Sequence, residues 1–261
     1  MKFIVCVDCE GVACVVSEPG KMLGEGRQNA YASLQATREA NAAAQGFFDA
    51  GATEVIVWDC HGRSLNLDYD LLDERCKIVL GVGFERRLPG LDGTFAGIAL
   101  IGHHAMEGTP DGVLCHTMSS VAYQYQKLNG IEVGEMAIEG AIAGDIGVPV
   151  VFVSSDDKGV AEARRFFPGI ETVQTKIGLG FNAALSEHPL RILKTIRAGA
   201  KAAAAKAKTL KPYRIPGPVV HEIRYKRIES AQSSVRADCG WERVDAFTVR
   251  RTAKAVANCF F

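Results

Sequence analysis

KFIVCVDCEG, residues 2–11, is a short apolar, β-branched run that stops at two carboxylates. Unbroken apolar character from Phe3 to Val7 suits a strand covered on both faces, which is the environment inside a parallel sheet. The same texture recurs outward along the chain. GATEVIVWD (51–59), CKIVLGV (76–82), GIALIGHH (97–104) and PVVFVSS (149–155) read as further strands. Between them, NAYASLQATREANAAAQGFFDAG (29–51) places Tyr31, Leu34, Ala44 and Phe47 near helical spacing and ends on Gly51, and GEMAIEGAIAGDIG (134–147) reads as a second helix. Strands alternating with helices predict an α/β protein, a three-layer αβα domain around a mostly parallel sheet.

VAYQYQKLNGIEV (121–133) carries an Asn-Gly turn between alternating segments, a hairpin signal that predicts a mixed sheet at that edge. From Ser186 the texture changes. SEHPLRILKTIRAGAKAAAAKAK (186–208) is a long amphipathic helix with Leu193, Ile196 and Ala200 on one face. PVVHEIR, WERVDAFTVR and a final helical segment, RRTAKAVANCFF (250–261), then predict a smaller α+β unit. The expected division is therefore a metal-binding catalytic domain over 1–185 and a helix with a smaller unit over 186–261.

Thirty basic and thirty acidic residues among 261 cancel, which removes the electrostatic footprint of a nucleic-acid binder or a membrane-surface protein. No apolar run approaches the ~18 residues that span a bilayer, and MKFIVCVDCE lacks the basic start of a signal peptide. A cytoplasmic location is expected. In a reducing compartment the eight cysteines would remain thiols, to be explained as packing, ligands or nucleophiles.

In open parallel sheets ligands bind beyond the carboxyl ends of the strands. Residues there are of metal-ligand type throughout: Asp8 and Glu10 after the first run, Asp59 and His61 after the second, His103 and His104 after GIALIG. His116 follows in GVLCHTM, and Glu135 stands at the start of a helix. Side chains alternate along a strand, so Asp8 and Glu10 share a face and Cys9 takes the other. A lone D-x-E or a single histidine is more often a cap, a salt-bridge partner or a hydrogen-bonded core group. Convergence argues for more: four of the six histidines lie past strand ends or in the following loop, in the same half of the chain as both carboxylate pairs. Carboxylates with imidazoles suit zinc or a similar ion, with manganese or cobalt as alternatives, and a carboxylate can bridge two ions.

Cys6-x-x-Cys9 with Cys14 resembles the start of a thiolate metal site, but a regular strand sends Cys6 and Cys9 to opposite faces and no second close pair follows. Cys60 and Cys115 each precede a histidine, yet adjacent side chains diverge. Small buried thiols is the expectation for most of the eight.

With VDCEG, WDCHG, GHHA, CHTM and VGE in this order, the sequence resembles the zinc-dependent D-aminopeptidase family, typified by a bacterial dipeptide-operon protein. The likeness runs from residue 2 to about 165 and thins in the last third. The resemblance implies two zinc ions per subunit held by Asp8, Glu10, His61, His104 and Glu135, with Asp8 bridging. It implies that His116 is the catalytic histidine, beside Cys115 where the family has Ser. It further implies hydrolysis of short peptides or aminoacyl amides with a free amino terminus and a D-residue, and a homo-oligomer, a decameric ring in which the 186–261 segment makes subunit contacts. Alternatives from other classes are a dinuclear hydrolase of another amide and a non-catalytic metal- or peptide-binding protein. The absence of a basic cluster or glycine-rich phosphate loop beside the motifs argues against phosphoesters.

His103, by parity, points away from His104 and is expected to pack or support. Asp59 is expected to orient a ligating imidazole. Glu139, one turn beyond Glu135, either shapes the substrate pocket or pairs with a cation.

Overall fold

The computed structural model describes residues 1–24, 26–236 and 239–260. β1 (Lys2–Val7) is an interior strand, third in the order of a seven-stranded sheet. Beside it run β2 (Glu54–Asp59) and β3 (Lys77–Val79) on one side, and β4 (Gly97–Ile101), β7 (Val150–Asp156), β8 (Glu171–Gly180) and β9 (Ala183–Ser186) on the other. All neighbours pair in parallel except β9, which runs antiparallel at the edge.

Alternation along β1 builds two cores. Phe3, Val5 and Val7 pack beneath α1 (Arg27–Asp49) and α4 (Pro189–Lys206), where Phe3 stacks on Phe47 at 4.2 Å. Ile4 and Cys6 face the other way, against α2 (Glu135–Asp145) and α3 (Asp157–Phe166) through Met136, Ile138 and Ala163. Two helices on each face give the expected three-layer αβα architecture. No helix among the described residues is long and apolar enough to cross a membrane.

The Asn129-Gly130 turn forms, both residues at positive φ, and joins β5 (Tyr123–Leu128) to β6 (Ile131–Glu132). It does not lie at the edge of the main sheet. β5 pairs with β10 (Val219–Tyr225) in a second, antiparallel sheet that continues through β12 (Thr248–Ala253) to β11 (Glu242–Arg243). A turn signal fixes a hairpin, whereas the sheet it joins depends on a partner some ninety residues away. Sheet pairing therefore crosses residue 185, and α4 packs on α1. The last segment also departs from a helix. RRTA completes β12, and only Val256–Cys259 turns as a short 3-10 helix, with Phe261 outside the described residues. α5 (Ile228–Ser234) covers the second sheet through Ala231.

Candidate metal centre

The strand order reverses between β1 and β4, whose neighbours lead off in opposite directions, and that switch point is where open α/β sheets open a crevice. Asp8 leaves β1 and His104 leaves β4 at this point, with His61 beyond the neighbouring β2 and Glu135 at the first turn of α2. Close backbone contact makes the arrangement possible. A Cβ on Gly11 would sit 1.9 Å from the His103 carbonyl oxygen, and one on Gly102, already at φ +69°, 2.3 Å from that of Asp8. Glycine at both positions lets the two ligand-bearing turns touch, and Gly11 N–H donates to the Gly102 carbonyl at 2.6 Å.

Five of the expected ligands meet. Asp8 Oδ1 lies 2.8 Å from His61 Nδ1, and Asp8 Oδ2 lies 3.5 Å from His104 Nε2. Glu10 Oε2 is 3.2 Å from the same His61 nitrogen, and Glu135 Oε1 is 3.3 Å from His104 Nε2. His116 joins them, its Nε2 3.7 Å from Glu135 Oε1 and its ring stacked on His104 at 3.9 Å. Two overlapping sets, Asp8/Glu10/His104 and His104/His116/Glu135, each bring one donor atom per residue within 4.8 Å of the others.

The proton positions follow from the carbonyls. His104 Nδ1 donates to Ala105 O at 3.0 Å, and His116 Nδ1 donates to Leu114 O at 3.0 Å. A carbonyl only accepts, so a neutral ring at either position turns the lone pair of Nε2 toward the carboxylates. Lone pair against carboxylate is repulsive without a cation between them. Glu10 Oε2 and His104 Nε2 are both buried without a hydrogen bond of good geometry. Two buried carboxylates, Asp8 and Glu10, with the partly buried Glu135 beside them, call for positive charge, which a divalent ion held by these nitrogens and oxygens would supply.

The same field shows in the acidities. Burial works to raise Asp8, but the hydrogen bond from His61 and the charges of His61 and His104 hold it well below the usual carboxylate range. Glu135, likewise opposed by burial, is brought to about 2 by His104. Burial works to lower both imidazoles; Glu10 and Asp8 beside His61, and Glu135 beside His104, more than offset it and hold both well above the histidine range.

Cys9 packs in the α1/α4 core with Val5 and Val7, while Cys6 faces the opposite core. Both thiols are pushed up, chiefly by burial, and neither enters the cluster. His103 turns away from His104, and its Nε2 lies 4.0 Å from the Cys60 sulfur. Asp59 does not touch an imidazole. It accepts from the backbone N–H groups of Asn66 and Leu67 and from the Asn66 amide, which also donates to His61 O, so it pins the loop that carries His61. Glu139 pairs with Arg87, the cation-pairing alternative.

Sequence reasoning passed over the supports. Lys176, fully buried, donates to the carbonyls of Glu10, Val12 and Val15 at 2.5, 2.9 and 2.7 Å and so fixes the turn after Asp8. Burial draws its ammonium down to about 8. Glu39 accepts from Ala13 N–H at 2.8 Å, and Glu162 from Met106 N–H at 2.8 Å. Both carboxyls are pushed up to about 7, burial being the largest cause.

A sequence model of the D-aminopeptidase family matches residues 1–260, including the last third where the motifs thin. The chain belongs to the D-aminopeptidase family. Its members are peptidases, and the chain is an enzyme of that class. A D-aminopeptidase of Bacillus subtilis (strain 168) is 29% identical over 235 residues, 89% of this chain and 84% of the relative. A solved structure, that of the Zn-dependent D-aminopeptidase DppA from Bacillus subtilis, described as a self-compartmentalizing protease, superposes with a TM-score of 0.90 at 28% identity, covering 98% of this chain and 93% of the other.

Proposed function

We propose that this D-aminopeptidase family member is a dinuclear zinc aminopeptidase acting on short peptides or aminoacyl amides whose free amino-terminal residue has the D configuration. The observation that carries the reading is the Asp8 carboxylate, whose two oxygens face two different imidazoles, His61 and His104. That is the geometry of a bridging ligand. Asp8 would bridge, Glu10 and His61 would complete one zinc site, and His104 and Glu135 the other. Bound zinc supplies Lewis acidity, polarising an amide carbonyl and making water nucleophilic near neutral pH.

The chain's own groups do the rest. His116 Nδ1–H is held by Leu114 O, which leaves Nε2 free to take a proton and return it to the leaving amine. The His116 turn is rigidly set, because Leu114 and Met118, two residues to either side, both hold positive φ (52° and 62°). Met118 N–H donates to Glu135 Oε1 at 2.8 Å and so ties the catalytic turn to a ligand.

A homo-oligomeric ring, a decamer, belongs to the same reading. Its support is the self-compartmentalizing relative together with an apolar patch along the antiparallel edge of the main sheet, where Ile177, Leu179, Phe181, Leu185 and Leu190 are exposed. Hydrolysis of paired D- and L-alanine amides by zinc-loaded protein tests the function. Turnover of the D-amide with little of the L-amide is expected; preference for the L-amide would overturn the assignment of D-substrates.

A further inference from the structure

Between the second sheet and the metal cluster lies a cavity of about 440 Å³, within the size range of small-ligand sites. Its walls include Arg87, Met118, Tyr225, Trp241, Arg251 and Phe260. Met118 connects it to the centre, since its N–H is on Glu135 and its sulfur lies 3.7 Å from Arg87 Nη1. The two guanidiniums are not equivalent. Arg87 is neutralised by Glu139, which is fully buried beneath it. Arg251 has no carboxylate partner among the described residues. Its Nη2 donates to the Cys259 and Asn258 carbonyls at 2.6 and 3.2 Å, and its plane lies over Trp241 at 4.8 Å.

Arg251 Nε is buried with no acceptor, and Nη1 has none among the described residues either. An unpaired buried donor on a permanent cation is costly unless an anion arrives to take it. The neighbouring His221 adds no competing charge: burial, with the charge of Arg251, draws it down to about 4, so it is neutral near pH 7. The wall therefore offers one uncompensated positive charge in an aromatic surround.

We propose that this cavity receives the carboxyl end of the peptide substrate, with Arg251 holding the free C-terminal carboxylate and Trp241 and Phe260 packing against the last side chain. This inference rests on the aminopeptidase reading, in which the amino end lies at the metals. With Nη2 held by backbone carbonyls and Nε buried, Nη1 is the donor left to give a carboxylate oxygen a charge-assisted hydrogen bond, and the aromatic wall favours a C-terminal residue with a large apolar side chain. Arg251 is then a substrate-reading residue, and the enzyme distinguishes peptides with a free carboxylate from those that lack one.

The test compares kcat/KM of zinc-loaded protein for D-alanyl-D-phenylalanine and for its C-terminal amide. Wild type is expected to favour the free acid by about tenfold or more, the discrimination a charge-assisted hydrogen bond provides. Arg251→Met should abolish that ratio mainly through KM for the acid, and Arg251→Lys should restore part of it. A wild type that hydrolyses acid and amide equally overturns the proposal without any variant, as does an unchanged ratio in Arg251→Met. If neither dipeptide is hydrolysed, the aminopeptidase reading fails on its own. The anchor is then judged by calorimetric binding of N-acetyl-D-phenylalanine, which must weaken about tenfold in Arg251→Met or the proposal falls too.

Discussion

The imidazoles of His104 and His116 lie stacked, centroids 3.9 Å apart and planes 13° from parallel, each with Nδ1 donating to a backbone carbonyl. Both rings therefore turn Nε2 toward Glu135, but only His104 also faces Asp8. In the proposed function this asymmetry would make His104 a metal ligand and His116 an acid/base group. His116→Ala is expected to retain its zinc while kcat falls about 10²- to 10⁴-fold. Zinc content by elemental analysis beside turnover checks it; loss of an ion in this variant would make His116 a ligand.

Arg87 and Glu139 form a pair in which the carboxylate is fully buried and the guanidinium is largely covered. Removing one partner strands the other's charge. Arg87→Met is expected to lower stability by about 3 kcal/mol, and Arg87→Met with Glu139→Leu to recover most of it. Urea denaturation of the single and double variants decides. A double variant no more stable than Arg87→Met would show that the pair's own charges are not the source of the loss.

Glu39 titrates at about 7 when folded, raised by burial, against an ordinary 4.5. The folded protein thus binds an extra proton between those values, and its stability falls as pH rises through that window. The difference between about 7 and 4.5 amounts to about 3 kcal/mol at most. Glu39→Gln keeps the acceptor for Ala13 N–H and cannot ionise. The stability of Glu39→Gln relative to wild type should therefore improve steadily from pH 4.5 to 7, by up to that amount. A difference that stays constant with pH would show that Glu39 does not titrate in this way.

Legibility in the sequence followed locality. Strand parity and the placement of polar residues at strand ends are properties of a few adjacent residues, and Asp8, Glu10, His61 and His104 meet as those patterns imply. Lys176 escaped because β8 carries an irregularity. Ser155 pairs with Gln174 and Asp156 with Lys176, so Thr175 is an extra residue, and both Thr175 and Lys176 turn inward. A regular alternation would have sent one of them to solvent. Asp59 has the right residue type and the right position for supporting a ligand, yet its partner is the following loop, a choice that depends on where Asn66 folds back. Likewise the hairpin was readable at Asn129-Gly130, but its membership of the second sheet rests on β10, far along the chain.

The dinuclear assignment stands on Asp8 as a bridge. Zinc counted per chain by elemental analysis, in wild type and in Asp8→Ala, tests it most directly. Two ions per wild-type chain are expected, and no more than one, with turnover lost, in Asp8→Ala. A wild type that holds a single ion at saturating zinc, or an Asp8→Ala chain that still holds two, would contradict it.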